Sequence, residues 1–387
     1  MKKIFLIALI FLFICGISLN AEADLVYTTT DGNLGLIEYS ETEGFTISPK
    51  EYVSKKENPI VTSYLLNGSA KVMLIEPDVD DIADDKFYVF NASDLTKPEN
   101  SSDLFFDGIR GTTSVVTAVN ADYTSVFLSS SEGAVAEYRA GNTEPRNYYN
   151  YSEVTSCDTT AVKSLISNER LYVLFDRYDS DYDEHFYEIL RFDGLLEKNS
   201  SFASFDLGFM PNDFAVTYNR IVLAAYDGGI RRFTGKTASD DLTISGMDIQ
   251  SIYIDTKNSF YFIMGNESVT KLSRYTSSGG IEEIYSRDES IYNGTYPKMV
   301  YDSKNKMLAA SMCGGVILVT NSNNERAASD FITNTELGGN IYSLAFLGVS
   351  TTTNNTSSSS SSGCNAMSLS FTGILALSLI AKFRNKK

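Results

Sequence analysis

Short apolar runs recur along the chain, and each is broken by a tight polar turn. One run at 220–226 enters Asp227-Gly228-Gly229 and continues into a second run at 230–233. Asp-Gly, Gly-Gly and Gly-Asn pairs supply the positive φ angles that tight hairpins require. This repeated order of strand, tight turn and strand predicts seven hairpins, at 25–39, 72–90, 125–138, 171–192, 220–233, 260–275 and 307–320. The hairpins at 72–90 and 171–192 have long acidic connections.

A further apolar strand precedes every hairpin except the first, and one more follows the last hairpin. These strands are expected at 60–66, 114–119, 161–166, 213–218, 249–254, 298–301 and 341–347. Their mean spacing of about 47 residues is typical of four-stranded propeller blades. No segment between 24 and 348 keeps a helical period over three turns. The sequence therefore predicts an all-β fold, a seven-bladed β-propeller, with six or eight blades also within range.

The two ends of the repeat region complement each other. The first hairpin lacks a preceding strand, and the strand at 341–347 lacks a following hairpin. Pairing the N- and C-terminal strands would complete one blade, remove the exposed sheet edges and close the ring. A pair of β-sandwiches or a β-helix is the alternative architecture.

The N-terminus has the order of a secretory signal peptide. Lys2 and Lys3 precede an apolar stretch at 4–17, and the small-x-small site Ala21-Glu22-Ala23 follows. Fourteen residues rise only about 21 Å as a helix, which is short for the hydrocarbon core of a membrane. We expect residues 1–23 to be removed after Ala23. An uncleaved anchor is the alternative.

The C-terminus is built differently. A Ser/Thr/Asn-rich linker at 349–362 leads to Gly363-Cys364-Asn365-Ala366, an apolar stretch at 367–381 and a basic end. Residues 363–387 resemble the Synergist-CTERM type of bacterial sorting domain. The resemblance implies recognition by a membrane sorting protease, with Gly363 and Cys364 near the site of processing or anchoring. A plain single-span anchor with an incidental cysteine is the alternative.

Charge narrows the choice of partners. The chain carries 49 acidic against 32 basic residues, a net charge of −17 at pH 7. Such a protein is unsuited to nucleic acid, whose phosphates need Lys and Arg, and to the electrostatic binding of an anionic membrane. A cation or a basic partner fits better. Between the ends the chain holds two cysteines, Cys157 and Cys313, which are either two free buried thiols or one bridge.

Residues suited to catalysis are scarce. The chain has one histidine, His185, so no His-rich metal site can form, and acyl transfer through a Ser-His-Asp triad would need this one residue. No Gly-rich phosphate loop is present. These absences make enzymatic activity the weaker interpretation.

Two acidic runs are candidate calcium sites. Oxygen ligands at alternating loop positions suit Ca²⁺, and a solvated acidic loop is the alternative reading. The first run comprises Asp176, Asp179, Asp181, Asp183 and Glu184. The second comprises Asp78, Asp80, Asp81, Asp84 and Asp85.

A tyrosine cluster is the candidate ligand contact. Tyr148, Tyr149 and Tyr151 are expected in a loop between blades, where exposed rings would stack on a sugar or a peptide. Packing within a sheet is the alternative for tyrosine-rich segments.

Together these features predict an exported protein of the cell envelope or cell surface, anchored to the membrane through its tail. We expect a binding or scaffold module for a peptide, glycan or protein partner, which uses the export machinery and a sorting protease to reach its place. An envelope hydrolase or lyase that uses carboxylates or tyrosines at the propeller mouth is the alternative.

Overall fold

A computed structural model describes residues 22–348, apart from several short gaps. The gaps are 41–43, 77–85, 104–114, 121, 131, 197–201, 218, 220, 235–236, 257–258, 277, 294–296, 303–305 and 323–324. The linker and the sorting tail with Gly363 and Cys364 lie outside the described residues, as does the second acidic run, 78–85. Ala23 lies in the first strand, opposite Tyr39, and its processing stays a prediction.

The described residues fold as an all-β protein, in which hydrogen bonds group the strands into six sheets. The first sheet contains β27 (Ile341–Phe346), β1 (Glu22–Thr29), β2 (Asn33–Ser40) and β3 (Gly44–Val53). The second contains β4 (Ile60–Leu66), β5 (Ser69–Glu76), β6 (Lys86–Asn91) and β7 (Asn100–Asp103). The third contains β8 (Val115–Val119), β9 (Ser125–Ser130), β10 (Ala134–Arg139) and β11 (Asn147–Asn150).

The remaining sheets continue the series. The fourth contains β12 (Asp158–Ser167), β13 (Arg170–Asp179), β14 (Glu184–Phe192) and β15 (Phe202–Asp206). The fifth contains β16 (Asp213–Val216), β17 (Val222–Thr234), β18 (Thr237–Thr256), β19 (Ser259–Gly265), β20 (Thr270–Tyr275) and β21 (Ile281–Arg287). The sixth contains β22 (Lys298–Asp302), β23 (Met307–Met312), β24 (Gly315–Ser322) and β25 (Glu325–Ala328), and β26 (Ile332–Thr333) also pairs with β24. In the part of the chain that the structure describes, two short helices lie between sheets, α1 (Tyr151–Thr155) and α2 (Asn334–Leu337).

Counted by sheets, the described residues form a β-propeller of six blades, which is within the predicted range. Seven were expected because the units at 213–243 and 248–287 were read as separate. They share one sheet because β18 runs through both: Thr237 pairs with Thr234 on β17, and Asp248 pairs with Gly265 on β19. Gly246 lies between the two paired stretches of β18, with a φ of +74° that favours glycine.

The ring closes as the sequence predicts. β1 pairs with β27 in antiparallel register, with Leu25 opposite Phe346 and Tyr27 opposite Leu344. Within the described residues, seven inner strands contact one another in a closed circle: β4, β8, β12, β16, β18, β22 and β27. The six-stranded sheet contributes two of them, so the centre keeps the seven units that the spacing predicts.

Apolar side chains pack between neighbouring units rather than in one central core. The second strands of the sheets are buried on both faces, which explains their uninterrupted apolar runs; β9, β19 and β23 are buried throughout. The cluster between the last unit and the first joins Met307 and Leu318 to Leu25 and Tyr27. Because each unit buries apolar surface on both sides, none folds without its neighbours.

Both cysteines described by the structure are free thiols. Cys157 is partly buried and Cys313 is buried. Burial raises the pKa of the Cys313 thiol to about 11, and the charge of Glu289 adds to this effect. A neutral buried thiol is a poor nucleophile, so Cys313 is a packing residue. In the described part of the chain, no helix is long and apolar enough to cross a membrane.

Candidate binding face and the centre of the ring

The alternation of strand directions gives the propeller two distinct faces. The face at which the inner strands begin carries two kinds of connection: those that join one unit to the next, and the turns between the second and third strands of a unit. We call it the upper face, and the opposite one the lower face. The described connections of the upper face are 30–32, 54–59, 132–133, 151–157, 180–183, 207–212, 227–229, 266–269, 288–293, 313–314 and 329–340.

Exposed apolar side chains concentrate on the upper face. Of the seven large apolar side chains that are exposed among the described residues, five lie there, and each is between 55% and 75% exposed. These five are Val53, Val154, Tyr182, Met210 and Tyr292. The other two are Val162, on the inner strand β12, and Ile281, at the lower end of β21. Single exposed apolar residues are ordinary. These five come from five different segments, and together they give the upper face most of the exposed large apolar side chains of the described residues.

The upper face is also strongly acidic. Its described connections carry one exposed cation, Lys55, and a second exposed lysine, Lys50, lies near the end of β3 beside Gly338. The exposed carboxylates on the same connections are Asp31, Glu57, Glu132, Glu153, Asp181, Asp183, Asp227, Glu267, Asp288, Asp330 and Glu336. The lower connections mix both signs, with Lys97, Arg146 and Lys306 exposed beside their carboxylates. The two faces therefore present different chemistry to a partner.

The first acidic run lies on this face, at the turn between β13 and β14. Asp176 is 2.8 Å from Nδ1 of His185, and the Tyr178 hydroxyl donates to Asp183 at 2.8 Å. Asp179 accepts the backbone N–H of Asp181 at 3.0 Å. In the described part of the chain, no group of three or more His, Cys, Asp or Glu side chains is placed to hold a metal ion. Calcium binding by Asp176, Asp179, Asp181, Asp183 and Glu184 stays a prediction.

The tyrosine cluster has a different setting from the expected loop. Tyr148 and Tyr149 belong to strand β11, and Tyr151 begins helix α1. Tyr149 packs edge-to-face against Phe192 with ring centroids 5.1 Å apart, and the buried Tyr151 donates its hydroxyl to Glu188. This segment is the outer strand of a sheet and the start of a helix rather than a loop, and its rings pack against neighbouring units, with Tyr148 and Tyr149 half-buried and Tyr151 buried. Ligand contact by Tyr148, Tyr149 and Tyr151 stays a prediction.

The upper mouth of the ring holds a polar cluster that the sequence did not indicate. We call it the central cluster: Lys163, Asp213, Ser251, Lys298 and Tyr342. Each residue comes from a different inner strand, namely β12, β16, β18, β22 and β27. Inner strands have one edge without a partner strand, so their free N–H and C=O groups need other partners.

Asp213 joins three inner strands. Its carboxylate is 6% exposed and pairs with the ammonium of Lys163. It also accepts Ser251 Oγ at 3.0 Å and the N–H groups of Ile252, at 2.9 Å, and of its neighbour Phe214, at 2.7 Å. Each carboxylate oxygen thus has two donors, which fills its lone pairs.

Lys298 has a different environment. Its ammonium donates to the carbonyl oxygen of Tyr342 at 2.6 Å and lies 4.5 Å from the centre of the Tyr342 ring. Burial lowers the pKa of Lys298 to about 8; the nearby charge of Lys163 lowers it further, and that of Asp213 opposes the change. The residue is half-buried, although its ammonium is largely desolvated.

The lower end of the ring is aromatic. The ring centroids of Tyr253 and Tyr301 are 5.4 Å apart, and the backbone carbonyl of Tyr123, after β8, accepts the N–H of Leu65 on the neighbouring strand β4 at 2.6 Å. Burial raises the pKa of Tyr301 to about 12, so its hydroxyl is neutral at physiological pH. The two ends of the ring therefore differ: ammonium groups lie at the upper mouth, and neutral phenols at the lower.

No protein-family model and no curated protein matches the sequence. Among solved structures, a protein from Lactobacillus plantarum has a TM-score of 0.54 at 10% identity, over 84% of this chain and 99% of that one. The WD40 β-propeller domain of Doa1 has a TM-score of 0.46 at 11% identity, over 74% and 86%. The β-propeller domain of Cps50 (Swd1) from Myceliophteria thermophila has 0.44 at 7% identity, over 71% and 86%.

At such low identities the likeness concerns the fold alone. The closed ring of radial sheets defines this chain as a β-propeller protein, and any function must be argued from its own surfaces.

Proposed function

We propose that this propeller is an exported cell-surface module that binds a protein partner through its upper face. The supporting observation is that five of the seven exposed large apolar side chains of the described residues lie on that face. Burying such side chains against a partner contributes about 25 cal/mol for each Å² removed from water. Aromatic residues and Met are also enriched in interface cores, and this face includes Tyr182, Tyr292 and Met210.

The partner we propose has apolar and basic residues together. The acidic rim attracts a basic surface at long range and raises the rate of encounter, and the apolar side chains then provide affinity. Exposed charges act over about 8 Å at physiological ionic strength. Salt should therefore slow association more than it speeds dissociation.

The place of action rests on the two ends of the sequence. The basic start, apolar stretch and small residues before Asp24 support export. The tail from Gly363 supports delivery to the cell surface, with Cys364 near the site of processing or anchoring. Mass spectrometry of the protein purified from membranes tests both. We expect a mature N-terminus at Asp24 and loss of the basic end, whereas an intact Lys387 would contradict processing.

Carboxylate catalysis at the mouth, the alternative function, draws little support from the geometry. Asp213 is the carboxylate of the central cluster, and its four donors leave no lone pair for a substrate proton.

Photo-crosslinking tests the binding face. A photoreactive phenylalanine analogue is placed at Met210 or Val154 on the upper face, or at Ile281 on the lower face as the control. We expect the same protein to be captured in intact cells from both upper positions. It should not be captured from the Ile281 position or from cells that carry the empty vector. Capture of the same protein from Ile281 alone would contradict the proposal.

A further inference from the structure

The central cluster contains more positive than negative charge. Lys163 and Lys298 contribute two ammonium groups, and Asp213 contributes one carboxylate. Asp213 is saturated by its four donors, so it has no capacity for a second ammonium. In an acidic protein this is an unusual local excess of positive charge.

Lys298 lacks a counterion. No carboxylate of the described residues lies within ion-pairing distance of its ammonium, which donates to one acceptor among those residues, the Tyr342 carbonyl, although it has three N–H groups. Desolvating a cation is costly unless it is paired. An ammonium held in this way favours an anion that enters from outside.

The β12 side of the central cluster is partly exposed to solvent. β12 has a β-bulge at Val162, because Ala161 pairs with Phe175 while Lys163 pairs with Leu174. Val162 is 39% exposed and the Lys163 side chain 33% exposed. Bulges re-aim side chains next to functional sites. Here the bulge places an accessible ammonium beside the first residue of β16, Asp213.

We propose that Lys298 and Lys163 together bind one carboxylate group of a ligand that enters the ring from the upper face. A monoanion fits because Asp213 cancels one of the two ammonium charges. The carboxylate belongs either to a small free acid or to a protein, as a C-terminus or an acidic side chain. The inference stands without the proposed function, since a small acid can bind even if no protein docks.

NMR on lysine-labelled protein tests the site. The ¹³Cε signals of Lys298 and Lys163 are assigned with Lys298→Met and Lys163→Met, and acetate is titrated at constant ionic strength against chloride. We expect acetate to raise the pKa of Lys298 by about one unit or more, as an opposite charge within a few ångströms does. Lys271, which pairs with Glu283 at 2.6 Å, is the control and should not respond. An equal response to acetate and chloride would overturn the proposal.

Two further probes identify the source of the carboxylate. One is a short peptide with a free C-terminus, and the other is the same peptide as its C-terminal amide. Binding of the free peptide at least tenfold tighter than that of both acetate and the amide indicates a protein carboxylate. Acetate binding with no gain from the peptide indicates a small acid. Inorganic phosphate bound more tightly than any carboxylate would refute the monoanion assignment.

The variants separate binding from folding. Lys163→Met leaves Asp213 without its ammonium and could unfold the ring, so Lys298→Met is the decisive variant. Its circular dichroism should match the parent protein while acetate binding falls at least tenfold. Unchanged acetate binding in folded Lys298→Met would refute the site, whatever the outcome of the crosslinking experiment.

Discussion

Replacing Lys298 by Met removes an ammonium from the centre of the ring and keeps most of the length of the side chain. Burial lowers the pKa of this lysine from 10.5 to about 8. A difference of one pKa unit corresponds to 1.36 kcal/mol, so the shift sets an upper limit of about 3 kcal/mol on the cost of the charge at pH 7. The side chain is partly accessible and its bond to Tyr342 is lost, so we expect Lys298→Met to be more stable by about 1–3 kcal/mol.

The effect has a defined pH dependence. Below about pH 8 Lys298 is protonated in both states, and the folded protein bears the full cost. Between about pH 8 and 10.5 the folded state loses this proton before the unfolded state does, so the free energy of unfolding of the parent rises with pH. The groups facing the ammonium are Lys163 from β12, Asp213 from β16 and Tyr342 from β27. The advantage of Lys298→Met should shrink toward pH 10.

Urea unfolding from pH 7 to 10, followed by far-UV circular dichroism because the chain has no Trp, measures this difference. Tyrosines with raised pKa values affect parent and variant alike and cancel in the comparison. Lys271→Met is the matched control, with an expected change within about 0.5 kcal/mol for a surface pair. A variant no more stable than the parent at pH 7, or an advantage constant with pH, would refute the reasoning.

Other changes test the fold and the calcium prediction. Asp213→Asn should lower the free energy of unfolding, measured in urea, by about 3 kcal/mol, because it breaks the buried ion pair with Lys163 and weakens the bond to Ser251. A loss below about 1 kcal/mol would show that these bonds are dispensable. Gly35→Ala should destabilise the folded protein by about 2 kcal/mol, because the new Cβ would lie closer than 3.0 Å to three atoms of Tyr27. Gly280→Ala should change the stability by less than about 1 kcal/mol, because the nearest atom to its new Cβ is 3.5 Å away. Equal melting curves for these two variants would contradict the packing. If the acidic turn binds calcium, 1 mM Ca²⁺ raises the melting temperature of the parent and not of Asp181→Asn, and no shift in the parent would refute it.

Local pattern was sufficient for most of the fold. The apolar run at 60–66 is β4, and the turn after Met312 gives the hairpin of β23 and β24. Ring closure was also predictable, since an unpaired hairpin and an unpaired strand stand at opposite ends of the repeat. The count of blades was harder, because Gly246 reads as a break in the sequence, whereas β18 extends from Thr237 to Thr256 and pairs with both β17 and β19.

The site was not predictable in the same way. Lys298 and Asp213 each open a predicted inner strand, but a charge at that position does not show that side chains from five inner strands meet. Their distances depend on how the units pack around the ring, which no local pattern encodes. The burial of Tyr151 was not predictable either, because a run of aromatic residues has the same sequence pattern in an exposed loop and in the outer strand of a sheet.

The binding face is tested most directly by the affinity of the crosslinked partner for purified variants. We expect the double variant Met210→Ser/Val154→Ser to raise Kd at least tenfold, and the lower-face variant Ile281→Ser to leave it unchanged. Raising the salt from 50 to 300 mM should weaken binding to the parent protein by slowing association. An unchanged Kd for the double variant, or a tenfold loss with Ile281→Ser, would contradict the account.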